Sequence, residues 1–109
     1  MRLHEHFEWD PQKAAANLVK HGVSFHDAAW VLADDFGDIL HLEDFDERHS
    51  EVSEDRWITT GSHPLDRSLV LRIIWTEVGG RRSRSVTRII SARVATPRER
   101  NRYEREVLG

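Results

Sequence analysis

The side chains best suited to chemistry in this 109-residue chain are cations. Lys20 and His21 are adjacent at the end of a helical stretch, and Arg56, Arg88 and Arg93 fall in strand-like runs. Arg stays protonated and presents a fixed fork of donors that matches phosphate, so the three arginines suit phosphate holding rather than proton transfer. His titrates near neutral pH, so His21 suits the accepting or giving of a proton. These cations belong to a wider asymmetry. Residues 1–55 hold 4 Lys/Arg and 14 Asp/Glu, a net of −10, and residues 56–109 hold 12 Arg and 5 Asp/Glu, a net of +7; together they make the chain's −3. The second half contains no Lys. An all-Arg basic half points to phosphate, and so to nucleic acid.

The same residues have purely structural uses. Lys20 and His21 near a helix C-terminus complement the helix dipole. Arg88 in a strand can pair with an acid of the first half. Arg98, Arg100, Arg102 and Arg105 sit on a terminal helix, where Glu99–Arg102 and Arg102–Glu106 have the spacing of supportive pairs. Trp9 belongs with an apolar N-terminal cluster and is expected in the core rather than as a stacking platform.

Size and composition narrow the field. The whole chain, 1–109, reads as one domain, long enough to bury a core. With 39% hydrophobic and 32% charged residues it is polar, but four Trp and four Phe supply large apolar surfaces. There are no cysteines, which removes disulfides and thiolate metal sites and suits a cytoplasmic location. No apolar run reaches the roughly 20 residues of a membrane span. Met1–Trp9 has no signal-peptide core. Gly-rich phosphate loops are missing, which argues against an NTPase or dinucleotide enzyme. His4 and His6 share strand parity, but no third ligand stands at a suitable spacing, so neither a metal nor a cofactor is expected.

The elements that must position the cations follow from local signals. His6–Trp9 reads as a short strand. Asp10-Pro11 opens a helix, with Asp as N-cap and Pro at the first position, and Gly22 closes it. Ser24 starts a second helix whose stripe is Phe25, Ala28, Ala29 and Leu32, ending near Asp34-Asp35. Residues 34–55 hold ten acids and one Arg, with a strand at Ile39–Leu42 and a loop at Glu43–Asp55. Arg56–Thr60 is a strand ending at Gly61, and His63–Asp66 is a turn. Leu69–Trp75 is almost continuously apolar, as in a central strand covered on both faces. Gly79-Gly80 turns the chain into a strand at Ser85–Val94. Thr96-Pro97-Arg98-Glu99 is a capping box for a helix from Pro97 to Leu108. The order is β-α-α-β-β-β-β-α. That is an α+β domain, expected as an antiparallel meander with helices on one face.

Three strings resemble one family. They are Phe7-Glu8-Trp9-Asp10 with Lys13 and Asn17, then Lys20-His21-Gly22-Val23-Ser24-Phe25, and Arg88-Ile89-Ile90-Ser91-Ala92-Arg93 followed by an Arg-Glu-Arg helix with Tyr103. Their spacing over residues 6–105 is similar to that of the BrnT ribonuclease toxins. The acid-rich stretch Glu43–Asp55 departs from the family pattern, and no role carries over to it. The resemblance implies a RelE-like fold and the toxin half of a type II toxin–antitoxin pair. It also implies RNA cleavage that stops translation, and a ribbon-helix-helix, BrnA-like antitoxin partner in a two-plus-two assembly that alone contacts operator DNA.

Metal-free RNA cleavage needs a base for the 2′-OH, donors for the phosphate and a proton for the leaving 5′-oxygen. On that reading Lys20, His21, Arg56, Arg88 and Arg93 form the catalytic set, with His21 as base or acid and the arginines as clamps. In a regular strand Arg88 and Arg93 point to opposite faces. They share one only through a bulge, or if Arg93 lies past the strand end; the expectation is Arg88 on an open face and Arg93 at the strand terminus. The alternative function is a toxin-like module that docks an antitoxin or nucleic acid without cleaving. A direct DNA reader is disfavoured: the second helix starts with His26 and Asp27 and carries no Arg or Lys.

Overall fold

The computed structural model describes residues 7–33, 41–47, 55–79 and 86–109. In chain order these form β1 (Phe7–Glu8), α1 (Pro11–His21), α2 (Phe25–Ala33), β2 (His41–Phe45), β3 (Trp57–His63), β4 (Asp66–Val78), β5 (Val86–Val94) and α3 (Pro97–Tyr103). A π-helical turn, Glu104–Leu108, continues α3. The strands make one sheet in the order β1-β5-β4-β3-β2.

Local chemistry sets the helix ends. The Asp10 carboxylate accepts from Gln12 N at 2.8 Å, and Gly22 closes α1 at φ +69°, where a side chain would be strained. Ser24 Oγ accepts from Asp27 N at 3.1 Å. Thr96 and Glu99 form the reciprocal capping box, with Pro97 following the cap.

Two apolar layers hold the sheet. On one face Leu71, Ile73, Ile89 and Ala92 are buried against Val23, Phe25, Ala28, Ala29 and Val31. Removing a buried aromatic such as Phe25 would cost about 3–5 kcal/mol. On the other face Val70 and Ala95 are buried with Tyr103, and Leu42 and Val107 pack alongside. Tyr103 is 1% exposed, and its hydroxyl lies 3.4 Å from Ser62 Oγ.

Several expectations are corrected. The sheet is mixed, because β1 runs parallel to β5 while the other pairs are antiparallel. Helices cover both faces: the long apolar β4 exposes two greasy sides, and one helical layer cannot bury both. Glu43–Phe45 is strand rather than loop, paired with Trp57–Thr59. Gly61 lies inside β3, not at its end, and Arg56 precedes that strand. The expected helix stop at Asp34-Asp35, the strand start at Ile39, residues 48–54 of the acid-rich loop, Gly80, Ser85 and the His4–His6 pair lie outside the described residues. Among the described residues, no helix is long and apolar enough to cross a membrane.

Candidate functional site

The register of β4 and β5 decides which way the arginines point. Trp75 pairs with Ile89 but Ile74 pairs with Ser91, so Ile90 is an extra residue in β5. Such a bulge shifts side-chain parity by one. Ile89 and Ala92 therefore both reach the α1–α2 core, and Arg88, Ser91 and Arg93 all belong to the opposite face. Arg93 is inside the strand, paired with Arg72 of β4, not past its end.

At one end of this face Arg88 is held by Glu8 of β1. Its Nε and Nη2 donate to the same oxygen, Glu8 Oε2, at 3.1 and 2.8 Å. The pair is exposed, and β1 brings it into register by pairing Glu8 with Arg88. Beside it lies a cleft of about 320 Å³ lined by Glu8, Trp9, Asp10, Lys13, Arg88, Ile89 and Ile90. Trp9 forms one wall while its ring meets Phe25 and His26 edge-on at 6.1 and 5.0 Å. It is thus both core-packed and site-lining.

At the other end Arg93 meets Glu99 of α3 through two parallel bonds, Nη1 to Oε1 at 2.7 Å and Nη2 to Oε2 at 2.9 Å. Arg72 Nη1 approaches the same carboxylate at 3.1 Å. The bond from Arg93, helped by the Thr96 N–H, holds the Glu99 carboxyl down at about 2 against partial burial; its charge in turn raises the affinity of Arg93 for its proton. Further along, Arg102 forks onto Asp44 of β2 at 2.9 and 3.0 Å, keeping Asp44 below its ordinary range. Arg98, Arg102 and Arg105 line a second, more open basic cleft on α3.

The structure brings Arg88 and Arg93 to one face but does not gather all the expected residues into one cleft. Lys20 and His21 end α1, on the helical layer packed against the other face. Arg56 leads into β3, where its carbonyl accepts from Asp46 N at 2.8 Å. Sequence reasoning missed Glu8, Lys13, Arg72 and Glu99 as neighbours of the arginines. Lys13 had a signal, being one helical turn beyond Asp10; the other three depend on strand pairing. Among the described residues no group of three His, Asp or Glu is placed to hold a metal ion.

A family model described as the ribonuclease toxin, BrnT, of type II toxin–antitoxin systems matches residues 9–99. The chain belongs to the BrnT family. The match begins at Trp9, ends at Glu99 and takes in every expected site residue of this BrnT toxin, whereas Glu8 lies just outside it. No curated protein matches the chain. As a type II toxin it acts on RNA and is paired with an antitoxin.

Proposed function

We propose that this BrnT toxin cleaves RNA without a metal ion and so arrests translation in the cytoplasm. The observation that carries this reading is the β5 bulge, which turns Arg88 and Arg93 to the same sheet face. Two fixed guanidiniums on one surface can hold neighbouring stretches of a phosphate backbone and stabilise charge that builds on a phosphate under attack. Arg93 holds the Glu99 carboxylate in the fork geometry that a phosphate would take, whereas Arg88 meets Glu8 through Nε and Nη2 alone. Lys20 and His21, at the end of α1, and Arg56, ahead of β3, stay in the proposed cation set although they lie apart from the Arg88 cleft.

The sheet with a terminal helix on its Arg-bearing face suits a RelE-like fold. The partner proposed is a ribbon-helix-helix, BrnA-like antitoxin in a two-plus-two assembly, with operator DNA contacted through the antitoxin alone. The test of the central claim is cleavage of a labelled RNA by purified toxin in excess chelator. Retained activity is the expected result. Loss in chelator, restored by one divalent cation, would overturn the metal-free mechanism.

A further inference from the structure

We infer that Glu8 is the general base of this site, taking the 2′-OH proton when an RNA phosphate is held by Arg88 and Lys13. The inference rests on the reading of Arg88 as a phosphate clamp and adds the proton chemistry that arginines cannot supply.

Three observations carry it. The first is which atoms are used. Arg88 spends Nε and one hydrogen of Nη2 on Glu8 Oε2. A guanidinium has five N–H donors, so its Nη1 edge remains to face a phosphate while the Nε edge keeps the carboxylate alongside. Oε1 is not used in that pair, and among the described residues it accepts no other bond. The second is elimination within the cleft. Among the described lining residues Asp10 is the other carboxylate, and its Oδ1 is engaged in capping α1 through Gln12 N. The third is energetic. Glu8 and Arg88 side chains are 41% and 45% exposed, and an exposed ion pair contributes only about 0–1 kcal/mol to stability. The fold therefore gains little from a pair that is set in the wall of a cleft beside Trp9 and Lys13.

The step balances with these groups. The 2′-O–H proton passes to Glu8, the 2′-oxygen bonds to phosphorus, and the P–O5′ bond breaks. The leaving 5′-oxygen takes a proton from the Lys13 ammonium, and Glu8 returns its proton to Lys13 through water. The products are a 2′,3′-cyclic phosphate and a 5′-hydroxyl. Among the described residues, the charged groups that line the cleft with Glu8 are Arg88 of β5 and Asp10 and Lys13 at the start of α1.

The experiment is single-turnover cleavage across pH by the parent, Glu8→Gln, Glu8→Asp and Arg88→Ala proteins, with binding of a 2′-O-methyl RNA measured in parallel. Glu8→Gln should slow cleavage by about 100- to 10,000-fold, the usual worth of a general base. It should also remove the acid limb of the pH profile and leave 2′-O-methyl RNA binding undiminished. Glu8→Asp should recover part of the rate and restore the limb. If Glu8→Gln cleaves at the parental rate while Arg88→Ala does not, the base assignment is wrong and the phosphate clamp stands. If Glu8→Gln is slow but keeps the parental acid limb, Glu8 only positions Arg88 and the inference is equally overturned. A parent protein that cleaves no RNA would sink the clamp reading and this one with it.

Discussion

The side-chain amide of Asn17 pairs with the backbone of Ala92 as a neighbouring strand would. Its Nδ2 donates to Ala92 O at 2.7 Å, and its Oδ1 accepts from Ala92 N at 3.2 Å. The same Nδ2 donates to Val23 O at 3.0 Å. Among the described residues β1 pairs with β5 at Thr87 and Arg88, and the amide serves the same outer edge of β5 at Ala92. It also ties α1 to the strand just past the bulge that orients the arginines.

Replacing Asn17 by Ala should therefore destabilise the fold by about 3 kcal/mol, from three buried hydrogen bonds worth roughly 1 kcal/mol each. Chemical denaturation of the two proteins measures this. A difference within about 0.5 kcal/mol, the range of an ordinary surface substitution, would mean that the amide does not hold the edge.

Glu99 should make stability depend on pH in the acid range. Its folded-state pKa, about 2, lies below the ordinary 4.5. Between those values the unfolded chain binds a proton that the folded chain does not, so stability falls as pH falls. The contribution is complete above about pH 4.5 and lost toward pH 2. Glu99→Gln should cost about 1–3 kcal/mol at neutral pH, the value of hydrogen bonds to a charged group, and the gap from the parent should close between pH 4.5 and 2. A gap that stays constant over that window would show that the Arg93–Glu99–Arg72 cluster does not lower this carboxyl.

Activity should depend on both arginines of the bulged face. Arg88→Ala and Arg93→Ala are each expected to lose about 100- to 1,000-fold in cleavage rate, as when one donor to transition-state charge is removed. Arg88→Lys should recover only part, since an ammonium lacks the bidentate fork. Arg93→Ala still leaves Glu99 with Arg72, so its fold should survive. Parental rates in both alanine variants would remove these residues from the site.

Antitoxin binding should be sensitive to salt, because the acidic and basic halves offer complementary charge. Asp44 is engaged by Arg102, so the informative change is Glu47, Glu51 and Glu54 together to Ser. Association should slow by about tenfold at low salt and change little at high salt. Stopped-flow rates that are the same for parent and variant at low salt would leave the acidic stretch without a part in recognition.

The helix boundaries were legible in the sequence because each is settled within one turn. Asp10-Pro11, Gly22, Ser24 and the Thr96–Glu99 box satisfy backbone groups a few residues away, and nothing distant competes with them. The order of elements was legible for a similar reason, since strand runs and turn residues alternate plainly from β3 to β5. Family membership was carried by three strings whose spacing the α1–α2 and β5 segments preserve. Only the tertiary structure decided where the cations went. Ile89 and Ala92 stand three residues apart, yet both must enter the core, and strict alternation cannot do that; the bulge at Ile90 resolves the conflict and carries Arg88 to the face of Arg93. Glu8 and Arg88 meet across 80 positions through a parallel pairing that no turn residue announces. Glu99 had a helical neighbour at hand in Arg102, but Arg102 forks onto Asp44 while keeping its expected pair with Glu106, and Glu99 goes to Arg93 and Arg72. An exposed helical pair is worth only a few tenths of a kcal/mol, so the bidentate partners that the sheet supplied prevailed.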